Sequence, residues 1–155
     1  MSPKCCVGCS RKYFNAVILL IAVTADRVTK YWALSGSLGS LYLNYGISFS
    51  LLEHRRSLGL FFTFAGLGTL GYICVKNPAV RRAPGIILLF AGAAGNLTDR
   101  IVYGYVIDWI PIAIFSDLFS GLFSNLSSHL FLNLADLWLC IGCFQFLKHC
   151  LAVMR

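Results

Sequence analysis

The hydrophobic residues of this chain gather into four long stretches, separated by segments rich in glycine, serine and aromatic residues. The first runs from Tyr13 to Ala25 without a charge. That is too short to cross a bilayer, which takes about 20 residues, so the predicted helix continues through Asp26 and Lys30 to Leu34. Asp26 and Lys30 stand four apart with the acid first, which places them on one helical face as a pair that neutralises itself. The second stretch, Leu58 to Val75, carries no charge. The third opens at Pro84, a residue suited to a first helical turn, and reaches Val102. Its run Ala91-Gly92-Ala93-Ala94-Gly95-Asn96 is small enough to let another backbone approach closely. The fourth extends from Leu130 to Leu147. The pattern predicts an all-α membrane protein with four transmembrane helices over 13–34, 58–75, 84–102 and 130–147, built as one membrane-embedded domain over 1–155. Between the helices, Leu41-Tyr42-Leu43-Asn44-Tyr45 predicts a short strand, and 115–123 an amphipathic piece on the membrane surface.

Composition agrees with that pattern. The chain is 58% hydrophobic and 12% charged, against roughly 45–50% and 25% in soluble domains. A net charge of +7 would suggest nucleic acid in a soluble protein. Here the basic residues sit at the ends of apolar runs and never interleave with aromatics, so no nucleic-acid partner is expected and membrane phospholipids are. Lys4, Arg11, Lys12, Lys76, Arg81, Arg82, Lys148 and Arg155 flank one side, which predicts both termini in the cytoplasm and the segments 35–57 and 103–129 outside. The apolar run from Tyr13 lacks a small-x-small cleavage site and reads as a retained span. Cys5, Cys6 and Cys9 precede the first span, Cys74 ends the second, Cys140 and Cys143 lie in the last and Cys150 follows it. No cysteine falls in the outer segments, so no structural disulfide is expected. Gly66-Leu67-Gly68-Thr69-Leu70-Gly71 matches a dinucleotide fingerprint in spacing alone. It sits inside an uncharged span, where helix packing is the better reading. His54, His129 and His149 lack ligand spacing, and no metal site is expected.

The chemistry is concentrated in the acids. Asp136 lies in the apolar run from Leu130 to Leu139, where a carboxylate costs about 2.5–3.5 kcal/mol on insertion scales. Counted from Leu130 it stands roughly 9 Å below the outer edge. Asp108 follows the third span. If the third and fourth helices are neighbours, the two carboxylates meet near the outer leaflet. Like charges close together cannot both ionise, so such a pair holds one proton near neutral pH and supplies an acid and a base at once. Peptide hydrolysis runs on that pair without a metal, and no cofactor is expected. Asn133 precedes Asp136 by three, on the same face, placed to orient it or to contact a substrate backbone. Asn44 and Gly46 read as a tight turn. Asn96 and Arg100 share a face; Arg100 either holds a carbonyl or phosphate or neutralises Asp99. Two other readings fit the buried acids. One is a small proton- or ion-coupled carrier using Asp136 and Asp26, against which the lack of repeat symmetry argues. The other is an assembly subunit whose acids pair with bases on a partner.

Five blocks recur in the order of a known family: Asp26-Arg27-Val28-Thr29-Lys30, Asn44-Tyr45-Gly46-Ile47-Ser48-Phe49-Ser50, Gly92-Ala93-Ala94-Gly95-Asn96-Leu97-Thr98-Asp99-Arg100, Gly104-Tyr105-Val106-Ile107-Asp108-Trp109 and Asn133-Leu134-Ala135-Asp136. Together they resemble the lipoprotein signal peptidases, or type II signal peptidases. The resemblance implies an aspartyl endopeptidase of the bacterial cytoplasmic (inner) membrane. Such an enzyme cuts diacylglyceryl-modified prolipoproteins just before the lipidated cysteine. It implies Asp108 and Asp136 as the catalytic pair. It also implies Asn44, Gly46, Asn96, Arg100 and Asn133 as pocket-lining or supporting residues, and Asp26 and Lys30 as a structural pair. A small extracytoplasmic β-cradle and a short surface helix are implied in 35–57 and 103–129, and a monomer is expected. The chain departs from the family pattern at Arg27 (usually Gln), Ile47-Ser48 (often Ala-Ala), Trp109 (commonly Phe) and Leu132 (usually Phe).

Overall fold

A computed structural model describes residues 4–46, 56–111 and 131–153. The expected surface piece at 115–123 and the Ile47-Ser48 departure lie outside them. Helix α1 spans Lys4–Leu34, α2 Arg56–Lys76, α3 Pro78–Arg81, α4 Ile86–Val102 and α5 Leu134–Val153. Four short strands accompany them: β1 Tyr42–Asn44, β2 Val106–Asp108, β3 Ile110–Pro111 and β4 Phe131–Leu132. Among the described residues the protein is thus mostly helical with two small sheets. Helix α4 packs against α1, α2 and, most extensively, α5.

Helix starts differ from expectation where local chemistry outweighs hydropathy. No proline interrupts the chain from Lys4 to Leu34, so α1 is 31 residues long and takes in Cys5, Cys6 and Cys9. Asn77 accepts a hydrogen bond from the Ala79 N–H at 3.0 Å and has Pro78 behind it, so the expected connection at 76–83 contains the short helix α3. Pro84 does not open α4. The helix begins at Ile86 behind Gly85, whose φ of 85° favours glycine. The last helix begins at Leu134 rather than Leu130, because Phe131–Leu132 pairs as a strand and Asn133 caps the helix. It runs to Val153, so Cys150 lies inside it.

Two helices carry windows long and apolar enough to cross a membrane, Ser57–Lys76 and Leu134–Ala152. Only 11% of each window is buried within the protein, so their apolar side chains face outward. Phe61, Phe64, Val75, Phe144 and Leu147 are all exposed, a surface suited to lipid. Helix α1 carries Asp26, Arg27 and Lys30, and α4 is only 17 residues long.

Small residues set the distance between α4 and α5. A Cβ on Gly85 would overlap the carbonyl of Gly142, and one on Gly92 would overlap the carbonyl of Ala135 and crowd Leu139. The helices touch backbone to backbone at both points, as the run around Gly92 predicts. At its C-terminal end α4 stops at Tyr103, and Gly104 (φ 79°) turns the chain into β2. Strand β2 pairs antiparallel with β1 in the register Tyr42↔Asp108, Leu43↔Ile107 and Asn44↔Val106. Strand β3 pairs with β4, Ile110 opposite Leu132. Strands β1, β2 and β3 fall in the segments expected to form the cradle, whereas β4 falls where the fourth helix was expected to begin.

The substitution Gly92→Ala is expected to lower the stability of the purified protein by about 1–3 kcal/mol, the usual cost of overpacking. Gly68→Ala meets nothing within 4 Å and is expected to leave stability within about 0.5 kcal/mol or raise it. Thermal melts of both variants in detergent check the pair.

Candidate active site

Asp108 ends β2 and is buried, with 1% of its surface exposed. Its position is fixed from two sides. Across the β1–β2 ladder, Asn44 donates from Nδ2 to Asp108 Oδ2 at 3.0 Å, while Asn44 Oδ1 accepts the Gly46 N–H at 2.9 Å. One asparagine therefore closes its own turn and holds the carboxylate. From α5, Asn133 Nδ2 donates to Asp108 Oδ1 at 2.6 Å. The Trp109 N–H donates to the Leu132 carbonyl at 2.9 Å, tying the residue after Asp108 to the residue before Asn133.

Asp136 stands in the first turn of α5, not nearly two turns down a helix from Leu130. It is half of a reciprocal cap. Its N–H donates to Asn133 Oδ1 at 3.0 Å, and its Oδ2 accepts the Asn133 N–H at 3.3 Å. A carboxylate there also meets the positive end of the helix. Asn96 Nδ2 donates to Asp136 Oδ1 at 2.8 Å, and Asn96 Oδ1 accepts from Asn133 Nδ2 at 3.1 Å. Asn133 thus touches both carboxylates, Asp108 through its side-chain amide and Asp136 through its backbone N–H, although it caps the helix rather than sharing a helical face with Asp136.

Arg100 does not neutralise Asp99. Neighbours one apart point away from each other on a helix, and Arg100 instead donates to the Gly46 carbonyl at 3.0 Å. Gly59 of α2 makes room for this bond: a Cβ there would stand 3.1 Å from Arg100 Nε and 3.2 Å from the Gly46 oxygen. Sequence reasoning missed Gly59, whose only signal is a glycine in an otherwise apolar helix. Asp26 and Lys30 do pair, at 3.0 Å, but within a larger cluster that sequence reasoning also missed. Lys30 reaches Asp99 at 2.7 Å, and Arg27 bridges Asp26 at 2.9 Å and Asp99 at 2.7 Å. Both acids and Lys30 are buried.

Asn44, Asn96, Arg100, Asp108 and Asp136 line one cavity of about 470 Å³ between α2, α4, α5 and the cradle. Away from these groups its wall becomes apolar, with Phe62, Leu67, Leu70, Leu89 and Leu139. Burial pushes the Asp108 carboxyl up to about 7, and the nearby charge of Asp136 pushes the same way; the amides of Asn44 and Asn133 and the Lys30 charge oppose it. Among the described residues, no cluster of three His, Cys, Asp or Glu side chains could hold a metal. The arrangement sets two buried carboxyls, each held by asparagines, beside a largely apolar cavity.

The fold is similar to that of a bacterial membrane enzyme solved by the in meso method at 2.3 Å resolution. Its TM-score is 0.70 and its identity 26%, over 92% of this chain and 90% of that one. At the level of class, this is a membrane enzyme. The family follows from sequence. The family model for signal peptidase (SPase) II matches residues 18–152, so the chain belongs to that family and is a peptidase. It is 32% identical to the lipoprotein signal peptidase of Staphylococcus carnosus, over 72% of this chain and 83% of that one. It is 35% identical to that of Caulobacter vibrioides, over 62% and 68%.

The two duties of Asn133 are separable. Asn133→Ser keeps a capping oxygen but loses the amide donor to Asp108 and Asn96, and is expected to cost about 1–3 kcal/mol of stability while peptidase turnover falls. Asn133→Ala loses both and is expected to cost a further 1–2 kcal/mol or about that. Melting temperature and turnover measured on the same preparations check this.

Proposed function

We propose that this protein is an aspartyl endopeptidase that removes the signal peptide from diacylglyceryl-modified prolipoproteins. It cuts before the lipidated cysteine and uses Asp108 and Asp136 as the catalytic pair. The observation that carries the reading is that Asn133 donates to both carboxylates, from its side-chain amide to Asp108 and from its backbone N–H to Asp136, at the polar end of a cavity whose remaining wall is largely apolar. A lipid-modified peptide needs both surfaces together. Helices α1, α2, α4 and α5 all span the bacterial cytoplasmic membrane, with both termini inside, and 1–155 forms one peptidase domain. The charges of α1 are compatible with a span because they compensate one another inside the bundle.

In the reaction, the pair enters with one proton. Asp108 is its better site, since burial favours the neutral form there. Asp136, held by Asn96 and the start of α5, is the base. It takes a proton from water while the water oxygen attacks the scissile carbonyl carbon, and Asp108 gives its proton to the carbonyl oxygen. The tetrahedral intermediate then collapses. Asp136 returns a proton to the leaving nitrogen, the C–N bond breaks, and Asp108 recovers a proton from the intermediate hydroxyl. The products are a signal peptide with a new carboxyl and a lipidated cysteine with a free α-amine. Asn44 and Asn133 hold Asp108 in place, and Arg100 fixes the Gly46 turn at the cavity edge.

Asp108→Asn and Asp136→Asn are each expected to reduce cleavage of a diacylglyceryl-modified precursor peptide by at least about 10³-fold in reconstituted vesicles, with the fold retained. Undiminished cleavage by either variant would remove the catalytic assignment. A carboxyl with a raised pKa keeps its proton up to that value and loses it above. Turnover is therefore expected to decline as pH rises through about 7, and to decline again in acid when the second carboxylate protonates. A flat profile between pH 6 and 9 would contradict the shared proton.

A further inference from the structure

We propose that Arg27 is a positioning residue for the Asp108–Asp136 pair, acting through the two buried carboxylates that it bridges. This rests on the reading of that pair as catalytic. Asp26 Oδ1 accepts the Ala135 N–H at 3.0 Å, and Ala135 immediately precedes Asp136. Asp99 Oδ2 accepts the Ile107 N–H at 3.3 Å, and Ile107 immediately precedes Asp108. Each buried acid therefore grips the backbone one residue ahead of one member of the pair. The spacing of the two grips sets the spacing of the two carboxylates.

Two cations hold the grips together. Lys30 reaches both acids and also Asn96 Oδ1 at 3.1 Å, the same Asn96 that donates to Asp136. Arg27 spans the outer side of the two acids with Nη1 on Asp99 and Nη2 on Asp26, and Nη2 also meets the Gly95 carbonyl at 3.0 Å. The site is tight, since a Cβ on Gly95 would lie 2.7 Å from Asp26 Oδ2. Two carboxylates and two cations make a neutral set. Without Arg27 the set carries one uncompensated negative charge, the two acids repel, and the grips on Ile107 and Ala135 move apart. Around this set α1 contributes Asp26 and Lys30, α4 contributes Asp99 and Arg100, β2 contributes Asp108 and α5 contributes Asp136. Losing a positive charge among them favours proton retention by the pair.

The test compares Arg27→Gln, Arg27→Lys and the double variant Arg27→Gln/Asp99→Asn, each as the full chain in vesicles with a diacylglyceryl-modified precursor peptide. Arg27→Gln is expected to lower kcat roughly 10–100-fold, the scale of a misplacement of about 1 Å. KM should stay within about twofold, and the alkaline limb should move up by roughly half a unit to one unit. Arg27→Lys returns the charge but not the two-pronged bridge, so the limb returns to its wild-type position while kcat recovers only in part. The double variant is neutral again and its limb also returns. A second readout needs no turnover: the 13C carboxyl titration of Asp108 shifts in Arg27→Gln and returns in Arg27→Lys. A wild-type kcat and limb in Arg27→Gln overturns the proposal. So does an equal loss of kcat in Arg27→Gln and Arg27→Lys when the Asp108 titration of Arg27→Gln stays at its wild-type position. If Arg27→Gln does not accumulate as folded protein, Arg27→Lys decides: lowered kcat at an unmoved limb supports the proposal, and wild-type kcat overturns it. Turnover surviving in Asp108→Asn would sink the catalytic reading, leaving the carboxyl titration to judge Arg27 alone.

Discussion

Polar groups buried in a membrane protein need partners within the protein, because lipid offers none. That constraint explains why the polar residues form one connected system. Asp26, Arg27, Lys30 and Asp99 satisfy each other's charges between α1 and α4. Lys30 passes to Asn96, Asn96 to Asp136 and Asn133, and Asn133 to Asp108. The supporting amides are asparagines, whose side chains donate and accept at once, so each link can extend to the next.

The same packing that builds the bundle places this system. Helix α4 lies against α5 with bare backbone at Gly92, and the atom it meets there is the carbonyl of Ala135, beside Asp136. Close helix contact and placement of a candidate catalytic group are thus one event. Helix α2 contributes differently. Its Gly66 lines the cavity, and among the described residues a Cβ there would meet nothing within 4 Å, which leaves open space where α4 and α5 leave none. A tightly packed pair of helices holds the polar groups, and a loosely packed third leaves room beside them.

Much of this was legible in the sequence. Hydropathy located the four long helices, the small-residue run located the α4–α5 contact, and the cost of burying Asp136 pointed to the candidate site. What hydropathy could not read was where a helix begins when an apolar run continues through the boundary. Phe131 and Leu132 are as apolar as α5 itself, yet they pair with β3, and the start of the helix is decided by Asn133. Pair chemistry at distance was equally hidden. Asp99 beside Arg100 looks like a neutral couple in one dimension, but a helix turns the two apart and α1 brings Asp99 its partners from over 60 residues away. Arg27 stood out only as a departure from a family pattern; its geometry depends on α1 and α4 being packed together.

The ladder between β1 and β2 is only three residues long, with Asn44 opposite Val106 and Tyr42 opposite Asp108. Side chains alternate faces along a strand, so a slip of one position would turn Asp108 to the other side of the sheet and away from Asn133. The link from Gly104 to Asp108 therefore has a fixed length. Insertion or deletion of a single residue within it would unseat the Asp108 carboxyl from both of its asparagine partners without altering a residue of any helix.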